Sequence, residues 1–166
     1  MQDFKFDLVA VKSTDYNFLN QIQELEKLAF AEGGEDYWTL QPMADQQLIL
    51  AAIERNTVYA HAILWKRWDN SKIAYLHSFV VCSSKRGIGL GRSFFRKIKQ
   101  YLIDLEIDTL QLTIEESNEA AKRIYASESR LIKKNFIKNA YGPEEDRWHW
   151  TLDLQDFLYA SEEDIL

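Results

Sequence analysis

The segment Lys85–Arg92 places three glycines and three cationic side chains between an apolar strand and a helix. The run Ile73–Val81 before it predicts the strand, and apolar residues at helical spacing from about Gly89 to Asp104 predict the helix. Glycines let backbone amides crowd around one point, and a helix N-terminus adds positive potential. This segment, the glycine loop, is therefore suited to hold a pyrophosphate.

The residues around these glycines distinguish the loop from two other phosphate-binding loops. No Gly-Lys-Ser/Thr sequence follows, so the spacing is not that of a P-loop. A dinucleotide fingerprint starting at Gly87 and Gly89 would need a third glycine at the position of Arg92. A tight turn that binds nothing is the alternative, although three glycines beside three cations exceed what a turn needs.

The rest of the chain predicts a mixed α/β sheet with helices on its faces. A first helix follows a cap at Thr14 or Asp15, and a short helix runs from Ser117 or Asn118 to Tyr125. The apolar face of the first helix is predicted from Phe18, Ile22, Leu25 and Ala29. Strands are predicted at 4–11, 48–53, 57–65, 73–81 and 109–114, around 136–137, and at 148–154.

Short connections fix part of the predicted topology. The turns at 54–56 and 69–71 make the strands at 48–53, 57–65 and 73–81 an antiparallel meander. A helix separates the strand at 73–81 from the next, so these two are predicted to be parallel neighbours. No repeat or Pro/Ser-rich linker interrupts the chain. We expect one domain over residues 1–166.

Composition narrows the classes of partner and compartment. A net charge of −6 argues against nucleic acid as the main partner and is compatible with a cationic one. The only cysteine, Cys82, leaves no intramolecular disulfide. Residues 1–5 lack the pattern of a signal peptide, and no apolar run approaches the roughly 20 residues that span a bilayer. We expect a cytoplasmic protein that does not bind membranes.

Two motifs together resemble those of GNAT acetyltransferases. Arg86-x-x-Gly89-x-Gly91 is similar to that family's Arg/Gln-x-x-Gly-x-Gly/Ala signature. Downstream, Asn118-x-x-Ala121-x-x-Ile124-Tyr125 resembles its Asn-x-x-Ala-x-x-Leu-Tyr motif. Their order and separation carry the resemblance, which covers roughly residues 47–136. It implies a mostly antiparallel central sheet flanked by helices, in which one parallel pair of strands splays apart.

The resemblance also implies a cofactor and its contacts. Acetyl-coenzyme A would lie where the two parallel strands splay, and coenzyme A would leave as product. The strand backbone near Phe79 and Val81 would hold the pantetheine and the acetyl carbonyl, and Asn118 and Tyr125 would lie beside the pantetheine and the sulfur. The pyrophosphate would bind the residues of the loop, which are Arg86, Gly87, Ile88, Gly89, Leu90, Gly91 and Arg92.

The sequence departs from the family pattern after Tyr125. The usual short Glu-Lys-x-Gly-Phe segment is replaced by residues 126–135, with Phe136 as the counterpart of the final aromatic residue. Ser83 also stands where the family commonly has a proline. The end of this helix and the acceptor pocket beside it therefore do not follow from the motif.

His77 is the candidate general base of amine acetylation. It shares a strand face with Tyr75, Phe79 and Val81 by the two-residue period, and an unperturbed imidazole titrates near pH 6.5. The strand position of His77 resembles that of a histidine in the arylalkylamine N-acetyltransferases, and that histidine is proposed to be catalytic. A histidine that only bonds across the sheet is the alternative.

The other histidines and the cysteine have weaker claims to a catalytic role. His61 and His149 are interpreted as packing or surface residues, and Cys82 as a buried thiol rather than a nucleophile. The three histidines and one cysteine show no metal-ligand spacing, so no metal is expected. Direct transfer from coenzyme A to the amine is preferred over an acetyl-cysteine route, with Tyr125 protonating, or hydrogen-bonding to, the thiolate.

An acidic segment after the first helix is the candidate acceptor site. Glu35 and Asp36 could attract an ammonium group, and Tyr37 could hold an apolar body or a cation. This favours a small cationic amine, either an arylalkylamine or a polyamine. For the segment, the alternative is a solvated loop that binds nothing. For the function, the alternatives are a peptide or protein N-terminal acetyltransferase and a non-catalytic acyl-coenzyme A sensor. The amine and the oligomeric state stay open, although the aromatic-rich C-terminal part could support a homodimer.

Overall fold

A computed structural model describes residues 4–155, so the ends of the predicted domain, 1–3 and 156–166, lie outside the described residues. The strands are β1 Asp7–Ala10, β2 Leu48–Glu54, β3 Thr57–Lys66, β4 Ile73–Val81, β5 Thr109–Glu115, β6 Arg130–Ile137 and β7 Arg147–Asp153. The helices are α1 Tyr16–Phe30, α2 Tyr37–Gln46, α3 Leu90–Asp104 and α4 Glu119–Glu128. The chain divides into two compact units, the first up to Trp65 with Leu76–Phe94, the second Lys66–Tyr75 with the chain from Phe95 onward.

The first unit contains the meander and the helices before it. β1 pairs antiparallel with β2, and β2 pairs antiparallel with β3. β1 is shorter than the predicted strand at 4–11. A core of fully buried side chains joins the helices to these strands; it includes Leu19, Ile22, Leu40, Ile49 and Ile63.

The buried face of α1 differs from the predicted one. Leu19, Ile22 and Glu26 are buried, whereas Ala29 is exposed. Phe18 and Leu25 pack only partly against the core. The prediction was wrong in rotation, because it chose apolar residues and passed over a glutamate on the inward face.

Helix α2 was not predicted. Asp36 caps it, since its Oδ1 accepts a hydrogen bond from Thr39 N at 2.9 Å. Pro42 lies inside the helix and lacks the amide that would bond to the carbonyl four residues earlier. Burial of Leu40 in the core offsets this loss. Tyr37 therefore begins a helix instead of ending an acidic loop.

The second unit contains the C-terminal part of the sheet. β7 pairs antiparallel with both β5 and β6, so it lies between them. α4 continues past Tyr125 to Glu128, and β6 begins two residues later at Arg130. The residues after Tyr125 that depart from the family pattern are thus the last turn of α4 and most of β6.

The seven strands form one sheet in the order β1-β2-β3-β4-β5-β7-β6. One neighbouring pair is parallel, β4 with β5 across α3, and the others are antiparallel. The predicted mixed, mostly antiparallel sheet flanked by helices is confirmed. Among the described residues, no helix has the length and apolar character needed to cross a membrane.

Candidate active site

The glycine loop begins as β4 ends and runs directly into α3. A single 3₁₀ turn, Ser83–Lys85, follows the strand. Gly87 and Gly89 have φ of +78° and +87°, a region that other residues rarely adopt. No heavy atom lies within 4 Å of a Cβ added at either position. The shape of the loop therefore follows from its backbone conformation, and the space beside both glycines is open.

The first turn of α3 presents donors at the end of this loop. Ser93 N donates to Gly89 O at 3.0 Å, which begins the hydrogen bonds of the helix. The amides of Leu90 and Gly91 precede this bond and have no intrahelical acceptor by helix geometry. Leu90 is buried as a whole residue, and Gly91 is half-buried. Ile88 is 43% exposed.

The cations of the loop are held in different ways. Arg86 is exposed, and its Nε donates to the carbonyl of Val81 at 3.0 Å. Lys85 Nζ lies 4.4 Å from the ring centroid of Phe4 and 5.0 Å from that of Tyr59. Arg86 is thus tied to the end of β4, while Lys85 is held by two aromatic faces.

Successive residues of β4 alternate between buried and half-buried positions, as the two-residue period predicted. Tyr75, His77, Phe79 and Val81 are half-buried, and the residues between them are buried. Phe79 stacks on Phe94, with ring centroids 5.5 Å apart. The two-residue period therefore placed His77 on the correct face.

His77 is joined to the acidic segment. Its Nε2 lies 2.7 Å from Glu35 Oε1, and its ring stacks on Trp65 at 4.1 Å with planes 15° apart. A carboxylate only accepts hydrogen bonds, so Nε2 carries a proton, and in the neutral imidazole the lone pair is on Nδ1. The side chains of His77 and Glu35 are 27% and 19% exposed. The arrangement is a partly accessible imidazole held by a carboxylate and an aromatic ring.

A second carboxylate, Glu26, lies beneath this pair and is 1% exposed. Its Oε1 accepts from Ser78 Oγ and lies 2.6 Å from His61 Nε2, while its Oε2 accepts from Glu35 N at 3.0 Å. Burial raises the pKa of Glu26, but hydrogen bonds and the charge of His61 outweigh it, so this pKa lies below its ordinary value. We call Glu26, Glu35, His61, His77 and Ser78 the carboxylate network.

The other residues of the predicted acceptor site have structural contacts. Asp36 accepts from both Thr39 N and Thr39 Oγ1, and these bonds lower the pKa of its carboxyl group. Tyr37 N donates to Gln23 Oε1 at 2.7 Å. Trp38, one residue later, is 82% exposed. Glu35 thus bonds to the candidate base, whereas Asp36 caps α2 and the Tyr37 amide bonds to Gln23.

Asn118 and Tyr125 lie on α4 in the second unit. Asn118 is the N-cap, and its Oδ1 accepts from Ala121 N at 3.1 Å. Tyr125 is 5% exposed and packs on Phe95 with ring centroids 5.0 Å apart. Burial raises the pKa of Tyr125 far above its ordinary value, so the phenol is protonated at neutral pH.

Three hydroxyl groups in the second unit form a cluster that the sequence did not indicate. Tyr75 Oη lies 3.2 Å from Thr113 Oγ1 and 3.3 Å from Tyr141 Oη, and the last two atoms are 3.1 Å apart. Burial, with Tyr141 nearby, raises the pKa of Tyr75 to about 12. The Tyr75 hydroxyl therefore stays protonated at neutral pH and can donate as well as accept.

The remaining candidates differ from their predicted environments in part. His61 is fully buried in the carboxylate network, and Cys82 is half-buried with its Sγ 3.3 Å from Ser84 Oγ. Burial, with Lys133 nearby, lowers the pKa of His149. Within residues 4–155, no three His, Cys, Asp or Glu side chains form a group that could hold a metal ion.

The profile of the Acetyltransferase (GNAT) family matches residues 18–128. This chain belongs to that family. The match contains the glycine loop, His77 and Tyr125, and the predicted enzyme class is thereby confirmed. Members of the GNAT family use acetyl-coenzyme A as acetyl donor in general. No curated protein matches the chain significantly.

Solved structures similar to this GNAT chain share its fold at low sequence identity. The ribosomal-protein-S18-alanine N-acetyltransferase from Escherichia coli has a TM-score of 0.76 at 21% identity, over 96% of this chain and 98% of that one. A spermidine N-acetyltransferase chimera from Vibrio cholerae and hSSAT has a TM-score of 0.76 at 15% identity, over 94% and 99%. Aminoglycoside 6'-acetyltransferase type Ii has 0.74 at 14%, over 89% and 97%.

The glycine loop has groups of the kind that a diphosphate requires. Gly87 and Gly89 combine positive φ with open space where a Cβ would stand, and the first amides of α3 have no intrahelical acceptor. Arg86 adds an exposed cation. The residue that sequence reasoning missed is Glu26, for which a glutamate on the inward face of α1 was the available signal.

Proposed function

We propose that this enzyme transfers acetyl from acetyl-coenzyme A directly to the primary amine of a small cationic acceptor. The observation that carries the proposal is the hydrogen bond between His77 Nε2 and Glu35 Oε1. This bond holds the imidazole in one tautomer and places a negative charge beside it. A general base that takes a proton from an ammonium group needs both.

The glycine loop is proposed to hold the pyrophosphate through backbone amides and the Arg86 guanidinium. The backbone at Phe79 and Val81, with Asn118, is proposed to hold the pantetheine. Ile88 and Arg92 belong to the same contact surface in this proposal. When bound, acetyl-coenzyme A supplies the thioester whose acetyl carbon the amine attacks.

His77 is proposed to prepare the amine. Nδ1 takes a proton from the bound ammonium group, since Nε2 already carries one, and the neutral amine nitrogen then bonds to the acetyl carbon. The nitrogen loses its second proton as the amide forms, which balances the proton that the coenzyme A sulfur gains. The carboxylate of Glu35 then stabilises the imidazolium that forms, and Trp65 holds the plane of the ring. Glu35 therefore acts on the base as well as on the charge of the approaching acceptor.

Tyr125 is proposed to protonate, or hydrogen-bond to, the coenzyme A sulfur as the carbon–sulfur bond breaks. Its raised pKa keeps the phenol protonated over the working pH range, so it is always available as a donor. Because a thiol with a pKa near 8.5 is the stronger acid, the phenol stabilises the thiolate mainly by its hydrogen bond, and any proton that it gives up is replaced from the proton that leaves the amine nitrogen. Free coenzyme A and the acetylated amine are the products.

The acceptor is proposed to be an arylalkylamine or a polyamine. Glu35 and Asp36 put two carboxylates in adjacent positions, and the exposed ring of Trp38 lies next to Tyr37 at a centroid distance of 6.1 Å. Carboxylates attract an ammonium group, and aromatic faces hold a cation or an apolar body.

The chain is further proposed to act as one acetyltransferase domain. The borders between the two units fall at residues 65/66, 75/76 and 94/95, which lie inside β3, β4 and α3. Two separate domains are ordinarily joined by exposed linkers rather than by continuous strands and helices.

The test is a panel of amines assayed for release of free thiol. It includes an arylalkylamine, a polyamine, an aminoglycoside and a peptide with a free N-terminus. We expect the wild type to prefer one of the first two, and His77→Ala to lower kcat/KM by about 100-fold or more. Cys82→Ala should retain activity. A preference for the peptide, or full activity without His77, would contradict the proposal.

Tyr125→Phe tests the leaving-group step separately. The change keeps the ring that packs on Phe95 and removes only the donor. We expect kcat to fall about tenfold or more while the affinity for coenzyme A changes little. A wild-type rate at saturating substrates would show that Tyr125 only packs.

A further inference from the structure

Glu26 is a buried carboxylate that the proposed reaction does not use. Its partners come from three other parts of the first unit: His61 on β3, Ser78 on β4 and the amide of Glu35. Burying a carboxylate is unfavourable unless such donors surround it. Glu26 therefore holds a fixed position among elements that also carry the candidate base.

The chain around Glu35 is shaped to reach this carboxylate. Gly34 has a φ of −78°, so its backbone does not require glycine. A Cβ added there would nevertheless lie 2.6 Å from the carbonyl oxygen of Glu26. Only glycine lets the chain approach α1 this closely, and the approach brings Glu35 N to 3.0 Å from Glu26 Oε2.

Glu35 passes this constraint to His77. Its amide is fixed by Glu26, and its own carboxylate bonds to His77 Nε2 at 2.7 Å. Ser78, the next residue along β4, bonds to the same buried carboxylate. The backbone on both sides of the His77–Glu35 pair is thus anchored at one point.

We propose that Glu26 is a positioning residue for the base. By fixing the Glu35 amide, Glu26 keeps the Glu35 carboxylate bonded to Nε2 of His77, and Nδ1 is therefore the atom that takes the proton. The inference rests on the proposed function in that His77 is the base of the reaction. Glu26 itself touches neither substrate nor reacting atoms.

A carboxylate suits this task better than the isosteric amide. Glu26 satisfies two donors with Oε1 and one with Oε2, whereas glutamine offers a single acceptor oxygen. In one orientation of the glutamine side chain, its NH₂ group faces the Glu35 amide, so two donors meet. In the opposite orientation, the NH₂ group faces His61 Nε2, and His61 must then carry its proton on Nδ1, a buried atom with no hydrogen-bond partner among the described residues. Glu26→Gln should therefore release Glu35 or strain His61.

The first experiment observes the His77 ring without any reaction. Imidazole nitrogen NMR of the labelled protein is expected to show His77 with its proton on Nε2, and His77→Gln assigns its signals among the three histidines. In both Glu26→Gln and Glu35→Gln, we expect the two neutral tautomers of His77 to mix. Wild-type protein with the proton on Nδ1 would overturn the inference.

The second experiment is a double-mutant cycle on kcat/KM for the best amine. Glu26→Gln should lower kcat/KM about tenfold or more, with KM for acetyl-coenzyme A unchanged. If Glu26 acts through Glu35, the double variant should be no worse than Glu35→Gln alone. Additive losses would overturn the inference, because a merely structural role predicts independent effects.

Matched variants separate positioning from loss of stability. Gly34→Ala forces the chain away from α1 without a change of charge and should reproduce the shift in the His77 signals. Gly33→Ala, one residue earlier and with nothing within 4 Å of its Cβ, should not. Ile22→Val, buried on the same helix, lowers stability without touching the carboxylate. If Glu26→Gln does not fold, Gly34→Ala decides the question.

The two readouts distinguish this inference from the proposed function. A changed His77 tautomer in Glu26→Gln with unchanged kcat/KM would support positioning and refute His77 as the base. An unchanged tautomer in Glu26→Gln or Gly34→Ala would refute positioning, whatever His77→Ala does to activity.

Discussion

The glycine loop and the carboxylate network owe their shapes to different causes. In the loop, Gly87 and Gly89 have positive φ, yet nothing lies near a Cβ added at either position. In the network, Gly34 has an ordinary φ, but an added Cβ would meet the backbone of Glu26. Backbone conformation shapes the loop, and close packing around buried hydrogen bonds shapes the network.

This difference determines how each region should respond to substitution. The loop is exposed at Arg86 and Ile88, so changes there should alter what it binds and leave folding nearly intact. Glu26 and His61 are almost fully buried, so changes there should lower the stability of the fold as well as alter the site. The predictions below test this contrast.

Glu26→Ala should have the largest effect on stability. It removes the acceptor of His61, Ser78 and the Glu35 amide, and at about 1 kcal/mol for each abandoned donor the free energy of unfolding should fall by about 3 kcal/mol. Denaturant titration measures this change. Glu24→Ala, exposed on the same helix, is the control and should leave the midpoint almost unchanged. Equal effects of the two would mean that Glu26 is not held as described.

Much of the fold was predictable because local sequence patterns determine it. The bounds of β2, β3, β4, α3 and β5 follow from hydrophobic period and turns, and the structure reproduces them within about one residue. α2 was not predicted, and it contains Pro42, a residue that is unfavourable inside a helix. The Asp36 cap and the apolar Leu40 were the signals that favoured a helix.

The candidate site was predictable only where it is local in sequence. The glycine loop lies within eight consecutive residues, so its pattern alone indicated its role. The carboxylate network joins residues 26 and 78, and no period relates a glutamate on α1 to a serine on β4. The wrong rotation assigned to α1 hid Glu26, since the face was chosen by apolar residues alone.

Two glycine substitutions compare the two causes of shape directly. Gly34→Ala should destabilise by about 2 kcal/mol, because its Cβ meets backbone that must shift. Gly87→Ala should cost about 1 kcal/mol, from backbone strain at positive φ without a clash. Thermal unfolding of both variants measures the difference. A larger loss in Gly87→Ala would show that the loop is more tightly packed than its geometry indicates.

Arg86→Glu should weaken coenzyme A binding with little change in stability. The exposed carboxylate would face the pyrophosphate, and loss of a charge-assisted hydrogen bond should cost at least about 1 kcal/mol, or roughly fivefold in Kd. Titration calorimetry at several salt concentrations measures it. Lys12→Glu, an exposed reversal of the same charge outside the loop, is the control. Unchanged affinity would place the pyrophosphate elsewhere.

The smallest expected effect is a difference between the two regions in how the free energy of unfolding depends on pH. The folded pKa of Glu26 lies below its ordinary 4.5, so its carboxylate stabilises the fold above that pH, and the contribution is lost as pH falls through the folded value. The difference in unfolding free energy between wild type and Glu26→Gln should therefore be largest near neutral pH and narrow below pH 4.5. Arg86→Glu replaces a group that does not titrate there by an exposed carboxylate with an ordinary pKa, so its difference from wild type should stay nearly constant. Denaturant titrations of the three proteins across this range measure both slopes. A constant gap for Glu26→Gln would mean that hydrogen bonds from His61, Ser78 and the Glu35 amide do not favour the ionised carboxylate.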